Sequence, residues 1–565
     1  MASPSFITIQ AKALPLGTAE FESKKAAVLD AFAKKVPREY WLPETLIRNP
    51  PTDVSGIPAT CGILSAEEIH ITEDYDAVAL AAAIAERKLS AVAVVTAFAK
   101  RAIIAHQLTN CLTQWWMDEA IEQAAALDKY QAENDGRTLG PLHGVPISIK
   151  DHVPIANTFS SAGCLATVSL DAEDCQITAS LRRAGAVFYC KTNQPQTLMH
   201  LESDSLWGRV LNPFHIGLSA GGSSGGEAAL LAMKGSVLGL GTDIGGSVRG
   251  PACFCGIYGF KSTSYRLPTR NFLPTTSAAE LNVVASTGPM GRSMRDLDLF
   301  MTAVLGPSDA PAPHLLLDLQ LVPIPWTGLA TPRGPKPLKV GIIAHDGFIT
   351  PQPPVTRAIA WARERLADPR LAGLIEVKPF TPFGASEGWN LVRKIYWPDG
   401  GQASRDVITS TGEPLHPLSD WIWKDEAPDG MTSAAAVNDL RQKRNKFRYD
   451  FAQSWQDQDV DVVLGPGFVG PASAHDSSFY WTYTSLYNLV DYPGVSIPTP
   501  VKVQAGEHYD SSYVPLSDPC KHVKTLWEAS SFEGAPIALQ LVARKHRDNE
   551  LFGAMAVLKD ALDLP

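Results

Sequence analysis

The most constraining feature of this 565-residue chain is the stretch from residue 217 to residue 249, which holds two loops rich in glycine and serine. The loops are GGSSGG at 221–226 and GTDIGGS at 241–247, and the segment between them is apolar and almost uncharged. Glycine and serine clusters are usually flexible linkers, but a linker has no hydrophobic centre of this kind. Glycine lets a ligand approach the main chain, and a serine beside such loops can act as a nucleophile next to several N–H donors. The stretch therefore predicts a buried framework for acyl transfer.

Charge and hydropathy limit the partners and the location of the protein. The formal net charge of −10 disfavours nucleic acid and anionic membranes as main partners, because both select basic surfaces. No apolar run approaches the roughly 20 residues that span a bilayer, and residues 1–25 lack the pattern of a secretory signal. We therefore expect a cytoplasmic protein without an integral membrane segment.

The cysteines and histidines show no metal-binding or redox spacing. Eight cysteines are scattered along the chain, and only Cys253 and Cys255 lie close together, as C-x-C. This spacing is neither the redox motif nor the usual zinc motif. The histidines form no H-x-H or H-E-x-x-H arrangement. We expect reduced, mostly buried thiols, no metal site and no cofactor.

Alternating strand and helix patterns predict an α/β fold, with a large mixed β-sheet flanked on both faces by α-helices. Residues 1–75 indicate an N-terminal helix followed by an irregular, proline-rich wrap. Because no internal repeat divides them, residues 76–565 are predicted to form one catalytic domain, with a mostly helical insertion near 380–456. A proline-rich segment at 306–338 is predicted to be a surface connection.

Three polar side chains occur where predicted strands break into glycine loops: Lys150, Ser223 and Ser247. A lysine that ends an apolar strand loses hydration, which lowers its pKa from about 10.4 and suits it to general base catalysis. Taken alone, such a lysine more often extends to the sheet edge. Ser247 precedes a predicted helix start, where N–H groups stabilise anions, although capping is the commoner role of a serine there. Ser223 taken alone is a turn serine.

The two loops belong to a set of motifs that resembles the amidase signature family. The main motifs are GVPISIKD at 144–151, GGSSGGE at 221–227 and GTDIGGSVRGPACFCGIYGFK at 241–261. The similarity extends to KTNQPQTLM at 191–199, GRVLNP at 208–213 and EGAPIALQLV at 533–542, and the distances between motifs also fit. Within the family, fungal acetamidases and general amidases are the most similar in appearance, followed by fatty-acid amide hydrolases.

The resemblance implies a Ser–cis-Ser–Lys triad. Ser247 would be the nucleophile, Ser223 the bridging serine after a cis peptide bond, and Lys150 the base. The implied oxyanion donors are the backbone N–H groups of Ile244, Gly245, Gly246 and Ser247, and the implied supporting residues are Ser224, Asp243 and Arg249. Asp243 and Arg249 taken alone can equally form a purely structural pair. Two departures from the commonest pattern, Gly250 and Ser262, affect the pocket rather than the triad.

The implied activity is hydrolysis of a small-to-medium carboxylic amide to an acid and ammonia or an amine, through an acyl-enzyme. Carbamate or ester cleavage stays open, because the same tetrahedral chemistry applies. The partners would be the amide and water, and a homodimer is compatible with the sequence. By resemblance the acyl pocket draws on residues 196–200, and we add two aromatic-rich stretches, although aromatic side chains are more often core than pocket. The predicted pocket residues are Leu198, Met199, Tyr396, Trp397, Tyr480 and Trp481.

Three other interpretations stay open at this point. GGSSG at 221–225 also satisfies G-x-S-x-G, the nucleophile elbow of α/β-hydrolases, with His475 or His546 available as the base, but residues 209–220 form no clean strand before it. A nucleotide-binding module would use the glycine loops for phosphates, but no G-K-[ST] follows GGSSGG. An amidotransferase subunit of the same family would pass ammonia to a partner protein, whereas the aromatic-rich segments favour a stand-alone pocket.

Overall fold

A computed structural model of the protein describes residues 6–273, 282–306, 318–332, 334–423 and 433–564. The predicted surface connection and the predicted helical insertion are therefore described only in part. Residues 307–317 and 333 of the connection, and residues 424–432 of the insertion, lie outside the described residues.

The described part of the chain contains one large sheet of eleven strands and three two-stranded ribbons. In chain order, the strands are β1 (Leu112–Trp115), β2 (Pro146–Lys150), β3 (Phe159–Ser160), β4 (Ser169–Leu170), β5 (Val187–Thr192), β6 (Asp204–Ser205), β7 (Gly208–Arg209), β8 (Leu211–Asn212), β9 (His215–Ser219), β10 (Leu238–Asp243), β11 (Tyr258–Lys261), β12 (Ser286–Gly291), β13 (Leu338–Ile342), β14 (Ile375–Pro379), β15 (Val462–Pro466), β16 (Gly494–Lys502) and β17 (Pro536–Ala543). The order in the large sheet is β1-β5-β2-β10-β12-β11-β16-β17-β15-β13-β14. Strands β5, β2 and β10 run parallel, as do β15, β13 and β14, and the other neighbours are antiparallel.

Helices flank this sheet on both faces, as the alternating pattern predicts. In chain order, they are α1 (Ala19–Ala33), α2 (Glu44–Arg48), α3 (Ile57–Thr60), α4 (Ala66–Asp74), α5 (Ala77–Ala85), α6 (Ala91–Thr109), α7 (Met117–Glu133), α8 (Gln176–Arg183), α9 (Gly225–Ala232), α10 (Arg249–Cys255), α11 (Met294–Leu305), α12 (Pro353–Leu366), α13 (Ala385–Tyr396), α14 (Gln402–Thr409), α15 (Pro417–Trp423), α16 (Ala434–Gln458), α17 (Thr482–Leu489), α18 (Asp518–Glu528) and α19 (Asp548–Leu558). The prediction of an α/β fold with a large mixed sheet is therefore confirmed.

Strands β2, β5 and β10 position the glycine loops. All three are buried along their whole length, which explains their apolar sequences, because parallel strands are covered on both faces. In the register of β2 and β10, Ile149 lies opposite Leu240. Since parallel strands end at the same edge of a sheet, Lys150 at the end of β2 lies beside the loop that follows β10. This edge is where ligands bind in open α/β sheets.

The N-terminal segment packs onto the same core as the rest of the chain. The N–H of Ile9 donates to the carbonyl of Gln107 on α6, and the N–H of Val54 donates to the carbonyl of Pro213, both at 2.9 Å. Ile9 and Val54 are buried and belong to the same contiguous hydrophobic cluster as the sheet. The division of the chain near residue 75 stays a prediction.

Helix α6 is the one described helix that is long and apolar enough to cross a membrane by length and composition. However, 78% of its most apolar window is buried inside the protein, as in the core helix of a globular domain. Lys100 and Arg101 interrupt its apolar run. The eight cysteines are free thiols and all but Cys61 are buried, which agrees with the prediction.

Candidate active site

Lys150 is the last residue of β2 and is fully buried. Its Nζ lies 2.5 Å from Oγ of Ser223 and 3.1 Å from Oγ1 of Thr242. Burial disfavours the ammonium form and lowers the pKa of Lys150 to about 7, although the carboxyl groups of Asp243 and Glu227 act in the opposite direction. A large fraction of Lys150 is therefore the neutral amine at neutral pH, as a general base requires.

Ser223 lies in a loop that is held from two sides. The Gly222–Ser223 peptide bond is cis, as the resemblance implies. Oγ of Ser203 donates to the carbonyl of Ser223 at 3.3 Å and accepts from the N–H of Gly225 at 3.0 Å. On the other side, a side chain on Gly222 would overlap the backbone of residues 200–202, so only glycine fits this close approach.

Ser247 lies on the loop between β10 and α10, and its side chain borders a cavity. The N–H of Ser224 donates to the carbonyl of Ser247 at 3.1 Å, which joins the two glycine loops directly. Gly246 has a φ of +129°, and a side chain there would overlap Thr484. Oγ of Ser224 accepts from the N–H of Thr242 at 3.4 Å. The three predicted triad residues therefore lie on segments that contact one another.

Asp243 and Arg249 form a fully buried ion pair, with 3.0 Å between Oδ2 and Nε. The Asp243 carboxylate also accepts the N–H groups of Gly246 at 2.8 Å and Val248 at 3.1 Å. Burial raises the pKa of Asp243, but the guanidinium of Arg249 outweighs burial and holds this pKa well below its usual range. Asn488 donates to Asp243 and accepts from Arg249. Asp243 and Arg249 therefore form a structural ion pair, and the same carboxylate holds the loop that carries the predicted nucleophile Ser247.

One of the four predicted oxyanion donors has another partner, because the N–H of Gly246 donates to Asp243. For the N–H groups of Ile244, Gly245 and Ser247, the described residues provide no such partner. We therefore restrict the predicted oxyanion hole to these three donors. The donation by Gly246 instead fixes the turn that presents them.

A small cavity lies beside Ser247, with about 10 Å³ open to the centre of a water molecule. Its lining residues are Leu198, Met199, His200, Leu201, Ile244, Gly245, Ser247 and Trp481. The ring of Trp481 packs against Gly245 and stacks on Tyr396 at a centroid distance of 5.9 Å. The hydroxyl of Tyr396 donates to the carbonyl of Ile244. Leu198, Met199 and Trp481 of the predicted pocket thus line the cavity, and Tyr396 lies directly behind it.

Trp397 and Tyr480 do not line this cavity. Trp397 is buried between Tyr396 and Trp423, with ring centroids 5.6 and 6.3 Å away. The hydroxyl of Tyr480 lies 3.0 Å from Nδ1 of His522, and its ring meets that of Trp421 edge-on at a centroid distance of 5.8 Å. Both side chains pack against tryptophans of the helical insertion, Trp397 against Trp423 and Tyr480 against Trp421. This agrees with the general preference of aromatic residues for cores. We therefore remove them from the predicted pocket.

Three buried residues near Lys150 were missed by the sequence analysis: Thr242, His152 and Glu227. Oγ1 of Thr242 lies 3.4 Å from Nε2 of His152 as well as beside Lys150. Burial and then the charge of Lys150 lower the pKa of His152 well below its usual value, so this imidazole is neutral. Glu227 accepts a hydrogen bond from Thr192 at 2.8 Å. Glu227 ends the motif GGSSGGE at 221–227, and Thr242 lies in the motif that begins at residue 241. Their place in these motifs is the sequence signal that could have identified them as site residues.

A second buried polar group, here called the His–Asp cluster, lies behind the Ser223 loop. Its members are His200, Glu202, Asp204, His416 and Asp476. Nε2 of His416 lies 2.5 Å from Oδ2 of Asp204, and imidazole with carboxylate is a common ligand set for transition metals. However, Nδ1 of His416 accepts the N–H of Leu418 at 3.1 Å, which leaves the ring proton on Nε2, facing Asp204. Nε2 of His416 also lies 3.3 Å from Oδ1 of Asp476, so the cluster places one imidazole within ion-pair distance of two carboxylates.

The nucleophile-elbow interpretation does not fit this geometry. The segment before Ser223 contains β9, which pairs with β8 in a short ribbon outside the large sheet. His475 binds the carboxylate of Glu202 and the carbonyl of Ile216, at 2.9 and 3.0 Å. Ser223 contacts Lys150 instead of a histidine.

The sequence model of the Amidase family matches residues 93–552. This chain belongs to the amidase family. A putative amidase of Schizosaccharomyces pombe is 41% identical over 516 residues, which cover 91% of this chain and 94% of that relative. An acetamidase of Emericella nidulans is 34% identical over 551 residues, which cover 94% of this chain and 96% of the relative.

Solved structures agree with this family assignment. A fatty acid amide hydrolase superposes with a TM-score of 0.88 at 31% identity, covering 98% of each chain. A 6-aminohexanoate cyclic dimer hydrolase, at 21% identity and a TM-score of 0.67, shares the fold. The protein is thus an amide-hydrolysing enzyme of the amidase family, and the α/β sheet described above is the amidase signature fold.

Proposed function

We propose that this amidase hydrolyses small carboxylic amides through Ser247, Ser223 and Lys150. The observation that supports these roles most strongly is the 2.5 Å contact between Nζ of Lys150 and Oγ of Ser223. Burial lowers the pKa of Lys150 to about 7, so the neutral amine is available to accept a proton. Family membership supplies the reaction class, and this contact is our argument for the individual roles.

In the first half of the proposed reaction, Lys150 accepts the proton of Ser223 while Ser223 accepts the proton of Ser247. Oγ of Ser247 attacks the carbonyl carbon of the amide, and the carbonyl oxygen becomes an oxyanion near the N–H groups of Ile244, Gly245 and Ser247. The proton returns through Ser223 to the leaving nitrogen. The C–N bond then breaks, ammonia or an amine departs, and the acyl group stays on Ser247 as an ester.

In the second half, water replaces the leaving nitrogen at the same carbonyl carbon. The relay of Ser223 and Lys150 removes a proton from the water, which attacks the ester. The proton then returns to Oγ of Ser247 as the C–O bond breaks, and the carboxylic acid leaves. Each proton taken up by Lys150 is released in the same half-reaction, so the enzyme returns to its starting state.

The cavity beside Ser247 supports a short acyl group. Its open volume of about 10 Å³ is comparable with the space of one water molecule. Trp481 lines it and packs against Tyr396 and against Trp389, whose ring meets it edge-on at 5.1 Å. An acyl group larger than this space would have to displace a lining side chain such as Trp481. Two relatives carry the name acetamidase, which agrees with a short acyl group.

The first test is an activity panel with matched variants. Wild type and Ser247→Ala, Ser223→Ala and Lys150→Ala are assayed for ammonia or amine release from acetamide, benzamide, an anilide, a long-chain amide and ethyl carbamate. We expect wild type to favour acetamide, the three variants to lose nearly all turnover, and the exposed Ser512→Ala to behave like wild type. Intact activity in Ser247→Ala would contradict the proposed nucleophile, and a preference for ethyl carbamate would move the substrate class to carbamates.

A further inference from the structure

Glu227 is a buried carboxyl group that the proposed mechanism does not use. It lies in the first turn of α9 and is fully buried. Its Oε2 lies so close to β10 that a side chain on Gly239 would overlap it. Its hydrogen-bond partners are Ser148 on β2 and Thr192 on β5. Ser148 and Lys150 point to the same side of β2, since side chains alternate along a strand, and Thr192 is the register partner of Lys150.

A count of protons around Glu227 shows which protonation state satisfies every contact. Oε2 of Glu227 lies 2.5 Å from Oγ of Ser148. The same Ser148 oxygen lies 2.9 Å from Oγ of Ser236, and Oγ of Ser236 lies 3.0 Å from the carbonyl oxygen of Leu238. Oε1 lies 2.8 Å from Oγ1 of Thr192. Each of these four contacts needs one proton, but the three hydroxyls carry only three protons.

A protonated carboxyl group of Glu227 would supply the fourth proton. With the carboxyl group protonated, Glu227 donates to Ser148, Ser148 donates to Ser236, and Ser236 donates to the carbonyl of Leu238. Thr192 donates to the other carboxyl oxygen. With an ionised Glu227, Ser148 donates to Oε2 and Ser236 donates to Ser148, and the contact between Ser236 and the carbonyl of Leu238 is left without a proton.

The charges around Glu227 favour the same state. Among the described residues, Glu227 has no ion-pair partner, whereas the equally buried Asp243 lies against the guanidinium of Arg249. Burial raises the pKa of Glu227 to about 8, although the hydroxyls of Ser148 and Thr192, and then the charge of Lys150, act in the opposite direction.

The other titratable groups that face Glu227 bring no second positive charge. They are Cys111 beside β1, and Tyr189 and Cys190 on β5, and burial raises the pKa of each of them, so all three are neutral at neutral pH. Lys150 is the only cation-forming group within this set. The carboxylate of Asp243 has the larger charge effect on Lys150, and an ionised Glu227 would stabilise the ammonium form further.

We propose that Glu227 is a positioning residue that stays protonated and thereby allows Lys150 to be a neutral base. A carboxylate at this position would stabilise the ammonium form of Lys150, and an ammonium cannot accept the proton of Ser223. The protonated acid forms hydrogen bonds with Ser148 on β2 and Thr192 on β5 without adding a negative charge. This inference rests on the proposed role of Lys150 as the base.

The pH dependence of kcat/KM in Glu227→Gln tests the proposal. Glutamine has the same shape, donates to Ser148 and accepts from Thr192, but cannot ionise. We expect the acid limb of the profile to move by less than about 0.3 pH unit, because a neutral group replaces a neutral group. If Glu227 is ionised in the wild type, its removal lowers the pKa of Lys150, and the limb moves to lower pH by about one unit or more. That shift would overturn the proposal.

Infrared spectroscopy provides a readout that does not depend on activity. The difference spectrum of wild type minus Glu227→Gln at pH 7 is expected to contain the C=O band of one protonated carboxyl group. Burial also raises the pKa of two other carboxyl groups, Asp296 and Glu413. Both groups are present in wild type and in the variant, so their bands cancel in the difference spectrum. Absence of the band at pH 7 would overturn the proposal.

If Glu227→Gln does not fold, Ser148→Ala replaces it in both measurements. Loss of the hydroxyl removes the acceptor of the Glu227 proton, so the carboxyl band should move to higher frequency while the acid limb of kcat/KM stays in place. Absence of any shifted band would contradict a protonated Glu227. The proposed triad is tested separately, because full activity in Lys150→Ala would refute the role of Lys150, whatever the state of Glu227.

Discussion

Nζ of Lys150 and Oγ of Ser223 lie 2.5 Å apart, although 73 positions separate the two residues in the chain. Lys150 ends β2, whose parallel neighbour β10 leads into the loop of Ser247. The N–H of Ser224 then joins the Ser223 loop to the carbonyl of Ser247. One edge of the sheet thus brings together a buried amine and two serine loops, and the following predictions examine what each part of this arrangement contributes.

The first prediction concerns pH. Because the neutral form of Lys150 is the proposed base and its pKa is lowered to about 7, kcat/KM for acetamide should fall as the pH drops below about 7 and level off above it. The measurement is a pH–rate profile from about pH 5 to 9 with wild type, and with Lys150→Arg as an always-charged control that should be inactive throughout. A flat wild-type profile over this range would contradict Lys150 as the base.

The second prediction concerns Thr242, which lies 3.1 Å from Nζ of Lys150. Thr242→Val keeps the shape but removes the hydroxyl, so kcat/KM should fall about 5- to 10-fold, as expected for the loss of one hydrogen bond of about 1 kcal/mol. Thr242→Ser retains the hydroxyl and should stay within about twofold of wild type. Equal kinetics in the valine and serine variants would show that this contact has no role in catalysis.

The third prediction concerns the acyl pocket. Trp481→Ala removes the largest ring that lines the cavity beside Ser247, so the ratio of kcat/KM for hexanamide over acetamide should rise at least about tenfold. The neighbouring Tyr480→Ala is the matched control, since its hydroxyl faces His522 and its ring lies outside the cavity. The idea that Trp481 limits acyl length fails if both variants keep the wild-type ratio.

The fourth prediction concerns stability. Asp243→Asn keeps the shape of the side chain but leaves the guanidinium of Arg249 buried without its counter-ion. Breaking a buried pair in this way should lower the free energy of unfolding by about 3–5 kcal/mol, and urea denaturation measures the loss. Glu20→Gln, which breaks an exposed pair with Lys24, should leave the unfolding midpoint unchanged. An Asp243→Asn midpoint equal to wild type would show that Arg249 finds another partner.

Local residue patterns predicted the structure best where chemistry and pattern coincide. The strand that ends at Lys150 and the helix that begins at Arg249 both occur at the predicted places. The cis bond before Ser223, implied by the resemblance, is also present. These patterns predicted the pocket least well, because Trp397 and Tyr480 lie in aromatic-rich stretches like that of Trp481 but outside the cavity. Aromatic side chains pack in cores and in pockets alike, so composition cannot separate the two.

The sequence by itself determined the α/β fold and the glycine loops, because these depend on residue types at short and regular spacing, and the resemblance of its motifs to the amidase signature family implied the reaction class. Only the tertiary structure decided that Gly246 donates to Asp243 and that Trp481 lines the cavity. The tertiary structure also decided that Glu227 contacts Ser148 of β2 and has no ion-pair partner among the described residues. These outcomes depend on contacts between strands, loops and the helical insertion that are far apart in the chain. Hydrogen bonding and burial at such contacts depend on packing in three dimensions, which no local pattern records.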